Sequence, residues 1–296
     1  METCKSYDIH LADALVWLRT RPDASVHAVV TDPPYGVLEY SADQLEKQRN
    51  GNGGIWRLPQ SYDGQKRSPM PRFTVLKRGD QERISALHSR LAPLLLRVCV
   101  PGAHVIMASQ NLLAHLVITE FAEAGFELRG QIVRVVKTLR GGDRPKGAHD
   151  DFPDVSVTPR SCWEPWLVFR KPCEGRVQDN LRIWGTGALR RPERGGPLTD
   201  LIVSCPARGE ERAIALHPSL KPQAFMRQVV RASLPLGKGV ILDPFMGSGA
   251  TIAAATNLGL ESIGLEIDEE YFHMAERAIP ALAALACNGN GTKPLR

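Results

Sequence analysis

A chain of 296 residues, 43% hydrophobic and with a formal net charge of +5, can bury the core of one large α/β domain with insertions or of two small domains. No apolar run reaches the roughly 20 residues needed to cross a bilayer, and residues 1–10 lack the basic-then-apolar layout of a secretion signal, so no membrane association is expected. The six cysteines (Cys4, Cys99, Cys162, Cys173, Cys205 and Cys287) form no Cys-x-x-Cys pair; neither a metal site nor a disulfide framework is expected, and the simplest setting is a reducing cytoplasm.

In chain order, strands are expected near 7–11 and 26–31, with a helix between them near 13–20. Helix 82–100, strand 104–108, helix 111–124, and strands 131–137 and 166–170 follow. Helix 222–234, strand 239–243, helix 248–258, strand 262–266 and helix 269–286 complete the set. Helix 111–124 carries apolar residues at 112, 113, 116, 117 and 121, a single buried stripe. The alternation predicts an α/β fold with one doubly wound, mainly parallel seven-stranded sheet. The tail 288–296, rich in Asn and Gly, is expected to be disordered.

The strand 26–31 runs into Asp32-Pro33-Pro34-Tyr35. One reading is a strand-stopping turn, since prolines end ladders and Asp starts turns. The other is a pocket for an exocyclic amino group. A carboxylate and a backbone carbonyl accept its two hydrogens while the aromatic ring stacks on the base. Strand ends of open α/β sheets are where ligands bind.

A second motif lies far downstream. Strand 239–243 ends at Asp243 and continues into Pro244-Phe245-Met246-Gly247-Ser248-Gly249 and an Ala-rich helix. Strand, glycine turn and helix form the first half of a nucleotide-binding unit, in which glycines admit a ligand and helix N–H groups face it. Glu266 ends the next strand, 19 residues after Gly247, where an acid can accept both ribose hydroxyl hydrogens. A dinucleotide-binding dehydrogenase shares these features. Against it, position 252 is Ile where a third glycine belongs, and hydride transfer has no use for Asp-Pro-Pro-Tyr.

Charge is unevenly spread. Residues 47–83 hold nine Lys/Arg against three acids, and 236–286 hold two against seven. The basic stretch adjoins the amino-group corner, which favours a polyanion there over a merely solvated loop.

Taken together, these motifs resemble the amino-group DNA methyltransferases, which use S-adenosylmethionine to methylate adenine N6 or cytosine N4. Asp32, Pro33, Pro34 and Tyr35 resemble the catalytic motif, and Asp243, Phe245, Gly247, Ser248 and Gly249, with Glu266 beyond them, the cofactor motif. His217-Pro218-Ser219-Leu220-Lys221-Pro222 is similar to the segment that closes over the cofactor's methionine end, and so assigns Lys221 to the cofactor. His10-Leu11-Ala12-Asp13 resembles the strand end whose acid reads the cofactor adenine, although Ala12 stands where relatives commonly have Gly. The catalytic motif comes before the cofactor motif, the circularly permuted order of the β class. In the protein-glutamine methyltransferases, which share the Pro-Pro-Tyr corner, the cofactor motif comes first.

The resemblance implies a catalytic domain over 1–172 and 217–287 acting on double-stranded DNA. Three segments lie outside the expected sheet. The aperiodic insertion 37–79 brings Arg57, Lys66, Arg67 and Arg72 to the corner, and Gly141-Gly142 is flanked by Arg140, Arg144 and Lys146, side chains suited to phosphate. Segment 173–216, where the β class places target recognition, carries Arg182, Arg190 and Arg191. Asp at the first catalytic position resembles adenine-N6 enzymes, whereas Ser is typical of cytosine-N4 enzymes; cytosine N4 stays open as the alternative. An RNA substrate and a non-catalytic cofactor-binding module are less favoured. A bacterial or phage restriction-modification setting is implied, with a homodimer and a cognate restriction enzyme left open.

Overall fold

The computed structural model describes residues 7–34, 61–62, 65–66, 78–136, 145, 147–148, 150–159, 161–193, 195–207, 209–217 and 219–287. The expected tail lies outside them. Strand β1 (Tyr7–Leu11) passes through Asp13, whose carboxylate accepts from the Val16 N–H at 3.0 Å and so caps α1 (Ala14–Thr20). β2 (Val26–Thr31) is the apolar run ahead of Asp32. A small antiparallel pair, β3 (Ser61–Tyr62) and β4 (Gln65–Lys66), precedes α2 (Arg78–Val98), β5 (Cys99–Ala108) and α3 (Ala114–Glu123). Then come β6 (Glu127–Val135), β7 (Trp163–Arg170), α4 (Val177–Trp184), β8 (Leu201–Val203) and α5 (Glu210–Ile214). The chain closes with α6 (Gln223–Ser233), β9 (Val240–Asp243), α7 (Ala250–Asn257), β10 (Glu261–Glu266) and α8 (Glu269–Ala284).

Among the described residues, eight strands form one sheet in the order β1-β10-β9-β2-β5-β7-β6-β8, with β7 antiparallel to its neighbours and the other pairings parallel. Alternation along β2 explains its two-sided burial. Ala28 and Val30 join Ile241 against α6, α7 and α8 through Phe225, Met226, Ile252 and Ile279. Val29 points the other way and joins Leu242, Leu18, Leu91, Leu95 and Phe121 of α1, α2 and α3. Each fully buried Leu or Phe in these layers contributes about 1.5–3 kcal/mol.

The helix after β9 covers one face and the helix after β2 covers the other. The strand order therefore reverses between two neighbouring strands, and such a switch point opens a crevice at their carboxyl ends. Asp243 and Asp32 stand there.

The eighth strand and α4 add to the expected elements. Segment 173–216 is not separate from the sheet. β8 pairs with β6 from Leu201↔Val133 to Val203↔Val135, and α4 packs at the opposite, amino-terminal edge. Asn180 of α4 is fully buried; its Nδ2 donates to the Pro101 and Thr186 carbonyls at 3.0 and 2.9 Å, and its Oδ1 accepts from the Glu174 N–H at 3.0 Å. Three residues of edge strand and an eight-residue helix whose one buried side chain is polar leave little periodic trace in a sequence.

Candidate active site

The corner is held from within the sheet. Thr31, the last residue of β2, is fully buried and donates through Oγ1 to Asp243 Oδ1 at 2.7 Å. The Phe245 N–H donates to the same oxygen at 3.1 Å. The ends of β2 and β9 are thus joined by one carboxylate. Pro33 is buried and Pro34 exposed, above a small cavity lined by Ile84, His88, Ala108, Ser109 and Leu113. The two proline rings, each with its fixed φ, share the wall of this cavity with α2 and the end of β5. Tyr35 lies outside the described residues.

Burial pushes the Asp243 carboxyl up to about 6, against the lowering effect of hydrogen bonds from Thr251, Thr31 and Phe245; the nearby Asp32 adds to the rise. Below it, Gly249 (φ 82°) opens α7, and a Cβ there would come within 2.4 Å of Ile279. Only glycine suits both that backbone and that contact. Ser248 is buried beside it.

Glu266 closes the loop from the neighbouring strand. Its Oε2 accepts from the Gly247 N–H at 2.9 Å, and its Oε1 from the Ile267 and Asp268 N–H groups, both at 2.9 Å. Burial raises its pKa while these donors oppose the rise. The exposed apolar side chains of Ile267 and Leu11 flank it, since Leu11 and Glu266 are register partners. A carboxylate between exposed apolar side chains suits an adenosine, with the acid on ribose and the apolar groups on the base. Asp13 stands at the same edge, where its established contact is the cap of α1. The donor set therefore fits the adenosyl cofactor that the motif implies.

Lys221 is placed differently from the sequence expectation. Its Nζ is ion-paired with Asp32 Oδ2, and its side chain is only 9% exposed. The cation also interacts electrostatically with Glu164, at the start of β7, which accepts at Oε1 from Arg134 Nη1 at 2.8 Å and from Trp166 Nε1 at 2.9 Å. Burial alone would raise the Glu164 pKa. Lys221, then Arg134 with its hydrogen bond and that of Trp166, outweigh it and hold the group at about 2. His217, four residues before Lys221, lies over Gly247 and meets the Tyr271 ring edge-on at 4.5 Å. Burial draws its imidazole down to about 4, with Asp32 opposing the fall and Lys221 and Arg212 adding to it. It is neutral at physiological pH and accepts at Nδ1 from the Ser219 N–H at 3.2 Å. One short loop thus touches the glycine turn with His217 and Asp32 with Lys221.

Thr31, Glu164 and His217 join the assigned set; Glu164 sits in no motif, and only its place at the head of a buried strand marks it. The basic residues divide. Arg57, Arg67, Arg72, Arg140, Arg144 and Lys146 lie outside the described residues, and of Lys66 only the backbone, in β4, is described. Arg182, Arg190 and Arg191 are at the amino-terminal edge of the sheet, across the molecule from Asp32. Arg182 pairs with Asp179 at 2.9 Å, the Arg190 N–H donates to the Ala232 carbonyl at 2.9 Å with its guanidinium against Gly237, and Arg191 is exposed. The structure does not bring these three together with the catalytic corner, because α4 is anchored to the first residues of β5.

The N6_N4_Mtase model, described as DNA methylase, matches residues 26–277. The chain belongs to this DNA methylase family. Among relatives of the family member, the Type II methyltransferase M.HindIII of Haemophilus influenzae is 21% identical over 290 residues, covering 90% of this chain and 93% of that protein. Among solved structures, the M1.HpyAVI–SAM complex superposes with a TM-score of 0.54 at 16% identity, covering 92% of this chain and 99% of that one. The cytosine-N4-specific PvuII DNA methyltransferase superposes with a TM-score of 0.59 at 14% identity, covering 96% and 90%. Both likenesses are of fold. Among the described residues of this methylase, no helix is long and apolar enough to cross a membrane.

Proposed function

We propose that this DNA methylase is a site-specific enzyme of the permuted β class, transferring a methyl group from S-adenosylmethionine to adenine N6 in double-stranded DNA. The observation that carries the proposal is the Thr31–Asp243 hydrogen bond, which sets the end of the Asp32 strand beside the glycine turn at the sheet's switch point. Glu266, Gly247, Gly249, Phe245 and Ser248 would hold the cofactor, with Asp13 at the adenine end. Bound there, S-adenosylmethionine supplies an electrophilic methyl group.

The residues of the chain do the rest. The target base leaves the stack, since its amino group is inaccessible within the duplex. Asp32 and the Pro33 carbonyl accept the two amino hydrogens, turning the nitrogen lone pair out of the ring plane, and Tyr35 stacks on the base. Positioning and electrostatics supply the acceleration, and no protein nucleophile is needed. Phosphate contacts are assigned to Arg57, Lys66, Arg67 and Arg72 of the insertion 37–79 and to Arg140, Arg144 and Lys146, which follow β2 and β6 in the chain. Of the 173–216 region, the part beyond β8 lies at the sheet's carboxyl edge. Arg182, Arg190 and Arg191 take no part.

Adenine is assigned from Asp at the first motif position. The test is to incubate the protein with unmethylated DNA and cofactor, digest to nucleosides and identify the product by mass spectrometry. N6-methyladenine is expected. N4-methylcytosine moves the target to the other amino base, and no product on varied DNA defeats the enzymatic assignment.

A further inference from the structure

We propose that Lys221 is a positioning residue for the target base, fixing the catalytic carboxylate of Asp32 rather than binding the cofactor. Three observations carry it. Lys221 Nζ is hydrogen-bonded to Asp32 Oδ2 across 189 residues of sequence. The ammonium is almost wholly withdrawn from solvent, so it is held in place. Glu164, itself bound by Arg134 and Trp166, interacts electrostatically with the same cation.

The chemistry follows from what an Asp side chain needs in order to receive a neutral amino group. A carboxylate at a strand end turns about its Cα–Cβ and Cβ–Cγ bonds, and only some orientations direct a lone pair at the incoming hydrogen. A carboxylate offers about four lone-pair directions. Lys221 takes one of these directions at Oδ2 and so fixes the plane of the carboxylate. The charge of Glu164 adds to that of Asp32 in compensating the buried cation, since an uncompensated buried charge is costly. Arg134 with Glu164 and Lys221 with Asp32 are two hydrogen-bonded pairs coupled through charge, drawn from β6, β7, the loop before α6 and the residue that follows β2. The same loop rests on the glycine turn through His217, so cofactor turn and catalytic acid share one support.

This inference rests on the assignment of Asp32 as acceptor of the target amino group, and the experiment separates the two. K221M, K221R, D32N and the K221M/D32N double variant are compared in single-turnover methyl transfer, with the cofactor dissociation constant measured on each. In K221M, transfer is expected to fall about 100-fold, the scale of a displaced catalytic group, with the cofactor dissociation constant unchanged. K221R, which keeps a cationic donor, recovers part of the loss. In the D32N background, K221M costs nothing further, because Lys221 acts through Asp32. Cofactor binding also reports folding; should K221M not fold, K221Q, which keeps a donor without the charge, carries the same comparison. Wild-type transfer in K221M overturns the proposal. So does a cofactor affinity that falls with the rate, which would make Lys221 a cofactor ligand, or an equal loss in the D32N background. A D32N enzyme with the wild-type rate instead overturns the role of Asp32 itself, and this proposal with it.

Discussion

At the amino-terminal edge of the sheet, polar side chains are spent on the chain's own backbone and on one another. Asn180 serves Pro101, Thr186 and Glu174, and Arg170 pairs with Glu127 while donating to the Gly187 carbonyl at 2.9 Å. At the carboxyl-terminal edge, Asp32, Asp243, Glu164 and Glu266 gather around one crevice, supported by Lys221, Arg134 and the N–H groups of the glycine turn. Both edges bury polar groups, and at both the side chains named here are hydrogen-bonded. The difference is that one set converges on a space between elements and the other seals an element to its neighbour. Counting arginines in the sequence cannot separate these uses; position along the strands can.

Four substitutions sharpen or break that contrast. The largest effect is expected from Asp32→Ala, which should lower methyl transfer by about 10²- to 10³-fold, the scale for removing a preorganised polar contact to the reacting group. Cofactor affinity should hold and the melting temperature should fall, because Lys221 loses its buried partner; normal turnover in a folded D32A protein would falsify the proposed mechanism. At the opposite edge, Asn180→Ala should cost about 1–3 kcal/mol of stability, since it strands buried backbone partners. Denaturant unfolding measures the loss, and turnover per folded molecule should be unchanged; a fall in turnover at constant stability would mean the two edges are coupled.

The third concerns pH. The Glu164 pKa lies at about 2 in the folded protein, below its ordinary 4.5. Its contribution to stability is present above pH 4.5 and is lost as pH falls from there toward 2. Melting temperature measured across this range should drop less steeply in Glu164→Gln than in the parent, and parallel curves would refute the ion-paired state. The smallest effect is expected from Arg182→Ala, whose exposed side chain should alter stability by no more than about 0.5 kcal/mol. Its DNA affinity should keep the parent's salt dependence; a slope reduced by about 1 would place a phosphate at the amino-terminal edge after all.

Much of this architecture was legible in the sequence because it is written locally. The apolar run ahead of Asp32, the Gly-x-Gly turn at 247–249 and the acids following Asp268 each declare a strand end, a turn or a helix start within a few residues. Asp268 indeed caps α8 by accepting from the Tyr271 N–H at 3.0 Å. What escaped is non-local or non-periodic. Lys221 has its partner 189 residues away and Glu164 belongs to no motif, so neither contact has a signature at short range. α4 presents a polar asparagine where a helix of its length normally shows an apolar stripe, and β8 is three residues long. The arginines of 173–193 were read by composition, and composition does not say which end of a sheet a loop returns to.

The placement of β9 has a consequence for synthesis. β2 is complete at residue 31, with Val26, Ala28, Val29 and Val30 fully buried in the finished protein, yet one of its two neighbours ends at Asp243. The Thr31–Asp243 bond spans 212 residues. At ribosomal rates, β2 waits roughly 10–40 s for that strand to be made. During this interval an apolar ribbon meant for the middle of the sheet has an open side, so nascent chains stalled or truncated before Asp243 should be chaperone clients, and the corner at Asp32 should form only after Asp243 has been made.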